Sequence, residues 1–113
     1  MFFALILLRG LPGVYGPIPA ISSDTMEIWR IEESDSRLLD DYFVDDANEL
    51  VDSLMGAYDI DMLDDEQCDA LIPWLAAQIA RKDLPERLTE LYIKLREFCE
   101  RAVTLRTGVI IEL

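Results

Sequence analysis

The sequence predicts an α+β fold: a layer of three helices packed on a small sheet of two or three strands formed by the chain ends. Three observations carry that reading. Short apolar runs sit near both ends, at Phe2 to Leu8, Met26 to Ile31 and Val109 to Leu113, and runs of that length read as strands. Between them, three longer stretches repeat apolar residues every three or four positions, the period of a helix with one buried face. The chain has 113 residues, 51% of them hydrophobic. That suits one domain with its own core and excludes a disordered acidic tail.

Met1 to Leu8 carries no charge, and Phe2 to Leu8 reads as a buried strand. As a signal peptide it is poor: it has no basic n-region, ends at Arg9, and has only Val14 and Gly16 around a cleavage site. It is too short to span a bilayer. Residues 1–25 also hold three of the five prolines and three of the five glycines. They are expected to form an apolar leader or an edge strand ahead of one α+β domain over 26–113. A start at Met26, with a self-sufficient domain behind it, is a third reading.

Met26 to Ile31 is a short strand interrupted by the polar Glu27 and Arg30. Ser34, Asp35 and Ser36 are N-cap candidates for a first helix from about Arg37 to Gly56. Its buried face is Leu39, Phe43, Ala47, Leu50, Leu54 and Tyr58, and Asp41, Asp45, Glu49 and Asp52 keep the same rhythm on the opposite side. Asp59 to Leu63 reads as a connector. Asp64 and Gln67 form a capping box for a second helix with the stripe Cys68, Leu71, Ile72, Leu75 and Ile79. Pro73 lies inside it and predicts a kink or a restart. Asp83 and Glu86 suggest a second capping box, opening a third helix from Leu84 to about Arg106. Its stripe is Leu88, Leu91, Leu95, Phe98, Ala102 and Leu105, with Gly108 as its stop.

The formal net charge is −13, with 23 acidic residues, 10 basic ones and no His. Its distribution is uneven. Residues 1–31 sum to zero and residues 70–113 to +1, whereas Glu32 to Asp69 place fifteen acids against Arg37 alone. Such a chain is repelled by phosphate backbones and anionic lipid, so neither nucleic acid nor membrane is an expected direct partner. Lack of His removes the Ser-His-Asp and Cys-His nucleophile systems and the His-containing zinc sites.

The remaining chemistry is sparse. Asp59-x-Asp61 opens like an EF-hand loop, but its fifth, sixth and twelfth positions are Leu63, Asp64 and Ala70, where the motif needs an oxygen ligand, Gly and Glu. A capped helix entrance is the simpler reading. Acid–base work needs a carboxyl in a buried site, and the helix 1 acids lie on the wet face. Cys68 and Cys99 lie on apolar faces and read as buried thiols of a reducing compartment. Trp29 and Trp74 read first as packing residues and second as binding anchors. No enzyme activity, metal or cofactor is expected, and a cytoplasmic location is.

What remains is an acidic helix with aromatic flanks. Asp41, Asp45, Glu49 and Asp52 form the ridge, Tyr42 lies beside it, and Tyr58, Asp59 and Asp61 extend it past the helix end. A surface of this kind suits a basic protein face. In size, in the acidic stretch Asp41 to Asp52 and in the basic-to-apolar ending Arg101 to Leu113, the chain resembles the small acidic immunity proteins. Those proteins protect bacteria from colicin-type or contact-dependent-inhibition toxins. The resemblance implies an inhibitor whose carboxylates occupy the cationic groove of a nuclease-type toxin. Two other readings stay open: a phage or plasmid nucleic-acid mimic acting against host defence, and a non-enzymatic adaptor subunit.

Overall fold

A computed structural model describes residues 1–7, 25–51 and 60–113. In chain order it contains β1 (Phe2–Ile6), β2 (Met26–Arg30), α1 (Glu33–Tyr42), α2 (Val44–Val51), β3 (Ile60–Asp64), α3 (Asp65–Ile79), α4 (Glu86–Leu105) and β4 (Gly108–Glu112). The four strands form one antiparallel sheet in the order β2-β1-β4-β3. The α+β class is as the sequence predicts, but the described residues hold four helices and four strands where three helices and two or three strands were expected.

The extra strand is β3, in the segment expected to be a connector. Its register pairs Met62 with Ile110 and Leu63 with Val109, and Leu63 is fully buried. Pairing with β4, not local propensity, makes this acidic stretch a strand. β1 is an inner strand, hydrogen-bonded to β2 on one side and β4 on the other, rather than an edge. All five of its residues are buried, as the uninterrupted apolar run implies.

Within the described part of the expected single helix from Arg37 to Gly56 there are two helices, broken at Phe43 (φ −111°, ψ −46°); positions 52–56, with Leu54, lie outside the described residues. Four-residue hydrogen bonds still bracket the joint, from Phe43 N–H to Leu39 O at 2.8 Å and from Ala47 N–H to Phe43 O at 2.9 Å. The apolar rhythm therefore passes through the break. The start also lies earlier than Arg37: Glu32 is the N-cap, and its N–H donates to the Asp35 carboxylate at 3.0 Å. Asp35 is thus the third helical residue and not the cap.

The Asp64–Gln67 capping box is present, with bonds of 2.8 and 3.0 Å. Gln67 also donates to Val51 O at 3.0 Å, tying the end of α2 to the start of α3. α3 runs through Pro73 without restarting, and Pro73 lies on its exposed side, where water can reach the carbonyl that proline leaves unbonded. Asp83 caps nothing; Pro85 is the N-cap of α4, and Asp83 holds Arg81. Nor does Gly108 stop α4. Arg106 ends that helix in the left-handed conformation (φ 55°, ψ 47°). Gly108 opens β4, where a Cβ would come within 2.5 Å of Leu63 O and 2.8 Å of Met62 Cε. Thr107, between them, donates its hydroxyl to Ile6 O at 2.7 Å.

All four helices share one core with one face of the sheet: Phe3, Leu5, Val109 and Ile111 meet Leu39, Phe43, Leu71, Leu75, Leu91, Leu95 and Phe98. The other sheet face gathers Phe2, Ala4, Ile6, Met26 and Ile110 in a second apolar cluster. With their buried faces on the first core, α1 and α2 turn Asp40, Asp41, Asp45, Asp46 and Glu49 outward.

Candidate protein-binding surface

The α1–α2 joint displays four of the eight residues expected at the site. Asp41 and Tyr42 on α1, and Asp45 and Glu49 on α2, are all exposed, Tyr42 to 45%. Asp52, Tyr58 and Asp59 lie outside the described residues. Asp61 is half-buried on β3, so it belongs to a sheet edge and not to a loop extending the ridge.

The structure adds three residues that periodicity missed. Asp40 and Asp46 are exposed beside the ridge. Leu50, expected in the core, is 45% exposed. The buried stripe runs Leu39, Phe43, Ala47, Val51 in uniform steps of four, so Leu50, three residues after Ala47, falls outside it. A uniform four-residue step would have identified Val51 in the sequence.

Unpaired charge gathers on this surface. Elsewhere six basic side chains are engaged. Arg87 binds Asp35 through both carboxylate oxygens at 2.9 and 3.0 Å and Glu90 at 3.2 Å. Arg101 binds Glu27 at 2.8 Å, Arg37 binds Glu33 at 2.8 Å, and Arg81 binds Asp83 at 2.7 Å. Lys94 and Arg96 hold Glu97 and Glu100 at 3.5 Å. The Arg87 and Arg101 guanidiniums hold the Asp35 and Glu27 carboxyls below the usual carboxylate range. Among the described residues, none of Asp40, Asp41, Asp45, Asp46 and Glu49 forms an ion pair. Five carboxylates thus share ten positions that contain no base.

The other candidate groups are occupied. Trp29 lies 5.8 Å from the Phe3 ring, with the Arg87 and Lys94 cations 5.5 and 5.9 Å from its own. Trp74 meets Phe43 at 5.9 Å and Tyr92 at 5.5 Å, edge to face. Both are packing residues. Cys68 and Cys99 are free and fully buried. A hydrogen bond with Cys99, then burial, push the Cys68 thiol far above its ordinary range, so it is no thiolate nucleophile. A surface cavity of about 510 Å³ is lined by Leu7, Glu97, Glu100, Arg101, Thr104 and Leu105, and its charged side chains belong to the ion pairs above. Among the described residues no helix is long and apolar enough to cross a membrane, and no three His, Cys, Asp or Glu side chains converge to hold a metal ion.

These features define an α+β protein with an uncompensated acidic surface on its first helix pair. The chain matches no protein-family model, no curated protein and no solved structure.

Proposed function

We propose that this protein is an acidic inhibitor of the immunity type, acting in the cytoplasm, that neutralises a basic, nucleic-acid-cleaving toxin through the α1–α2 surface. One observation carries the reading: among the described residues Asp40, Asp41, Asp45, Asp46 and Glu49 are exposed and form no ion pair, within ten positions that contain no base. Folding leaves that charge uncompensated, and self-repulsion makes it costly to the isolated protein. A cationic phosphate-binding groove would compensate it. Steering would speed capture, and charge-assisted hydrogen bonds to Arg or Lys would slow release. Exposed Tyr42 and Leu50 supply apolar contact beside the charges.

The first candidate partner is the basic protein encoded by the adjacent gene. Association with it should slow at least about tenfold from low to high salt. The variant Asp41→Lys/Asp45→Lys/Glu49→Lys should lose binding while keeping its helix content. Binding that survives the triple reversal sinks the proposal. Exposed Leu50 and Tyr42 also suit the adaptor reading, in which an apolar edge docks a larger complex; that reading expects association almost indifferent to salt. Capture of several unrelated basic proteins would instead support a nucleic-acid mimic.

A further inference from the structure

Two thiols meet inside the core, away from the acidic surface. Residues 80–85 join α3 to α4, and so short a connection makes the two helices antiparallel neighbours. Trp74 on α3 and Tyr92 on α4 fix their register, with ring centroids 5.5 Å apart, edge to face. Moving away from the connector, Cys68 lies six residues beyond Trp74 and Cys99 seven residues beyond Tyr92. At the helical rise those steps are about 9 and 10.5 Å, so the two cysteines reach the same level. Each also belongs to its helix's buried stripe: Cys68 with Leu71 and Leu75, Cys99 with Leu95 and Ala102. Both thiols are free and fully buried. Cys68 shares a hydrogen bond with Cys99 and lies 3.7 Å from Leu63 O.

We propose that Cys68 and Cys99 are a redox pair that closes to a disulfide on meeting a low-molecular-weight disulfide, clamping the start of α3 to α4. The reaction is two thiol–disulfide exchanges. In the first, one cysteine gives up its proton and its sulfur bonds one sulfur of the small disulfide. The small thiolate released takes that proton. In the second, the other cysteine, deprotonated in turn, attacks the protein sulfur of the mixed disulfide and releases a second small thiol. Two protein thiols are oxidised, one small disulfide is reduced, and no further reactant is needed. Burial makes the closed fold inert, so exchange proceeds from locally opened molecules. β3 is an edge strand of the described sheet, and its Leu63 lies against Cys68, so loosening of β3 uncovers that thiol. Once formed, the bridge closes a loop over the thirty residues between the cysteines, which restricts the unfolded chain.

The test uses the full chain, folded and reduced, incubated with oxidised glutathione until the reaction stops. Peptide mapping without reduction should then recover a peptide joining Cys68 to Cys99, two hydrogen masses lighter than its two free halves. The melting temperature of the bridged protein should rise by at least about 5 °C and return to its starting value on treatment with dithiothreitol. The single variants Cys68→Ala and Cys99→Ala should stop at the glutathione mixed disulfide and show no such rise. The wild-type measurements stand by themselves if either variant fails to fold. Three results would overturn the proposal: thiols that stay free in the folded protein, glutathione retained on either cysteine of the wild type without a bridge, or a bridged protein that melts lower than the reduced one. The last would mean that the bridge forms in the unfolded chain and does not fit the fold. None of these measurements depends on the acidic surface or on a partner.

Discussion

Arg106 occupies left-handed backbone space (φ 55°, ψ 47°) where α4 turns into β4. There its N–H bonds Ala102 O and Val103 O, and the Thr107 N–H bonds Ala102 O at 3.0 Å. The geometry is needed, but a side chain with a Cβ resists it. Arg106 is exposed and joins no ion pair among the described residues. Arg106→Gly should therefore raise unfolding stability by about 1 kcal/mol in urea denaturation. Asp35 is the opposite case, a buried carboxylate that joins the start of α1 to α4 through Arg87. Arg87 lowers its folded pKa. Its stabilisation is therefore fully present above the unfolded value of about 3.9 and is lost as pH falls through the depressed folded value. Asp35→Asn should cost about 2 kcal/mol at neutral pH, a figure at the low end because Arg87 is part-exposed. The gap between variant and wild type should narrow in acid. A cost independent of pH would mean that shape, not charge, holds this contact.

At the scale of elements, β1 is the piece on which the sheet depends. It supplies the only pairing of β2 among the described residues and one of the two pairings of β4. A chain beginning at Met26 should therefore fail to fold cooperatively, seen as loss of near-UV circular dichroism and of NMR dispersion. A sharp unfolding transition in that shortened chain would show that β1 is dispensable. The strand itself was legible, because Phe2 to Ile6 is apolar at every position; its place inside the sheet was not, since strand neighbours are chosen by tertiary contact. The same holds for β3. Ile60, Met62 and Leu63 stand among aspartates that disfavour strands, and only the close approach that Gly108 allows reveals the pairing with β4. The Asp64–Gln67 box was readable because both halves are local. The break at Phe43 was not, because helical hydrogen bonds at Leu39 and Phe43 carry the apolar period straight through it. That hidden break did not conceal Asp41, Asp45 and Glu49 as outward carboxylates. Leu50 was misplaced because a three-residue step was read where the helix pair uses four.

Across the whole molecule, stability and the proposed function pull in opposite directions at the acidic surface. The net charge of −13 arises within Glu32 to Asp69, and Asp41, Asp45 and Glu49 follow one another at four-residue intervals. Like charges so spaced destabilise a helix by about 0.2–0.5 kcal/mol per pair. Asp45 contributes to both pairs. Replacing Asp45 with Lys alone turns two repulsions into two attractions and leaves the buried Val44, Ala47 and Val51 face untouched. The isolated variant should be more stable by about 0.5–1 kcal/mol at low ionic strength. That gain should shrink from about 0.02 to 0.5 M salt as screening removes the repulsion being relieved. The same substitution should slow association with a basic partner, because steering depends on the charge it reverses. A solvated face with no partner gives the first effect without the second. Measuring thermal stability and association rate on the one variant therefore separates the two. Increased stability with an unchanged rate would mean that the carboxylates serve only solubility, whereas increased stability with slower capture would show that the repulsion is retained for binding.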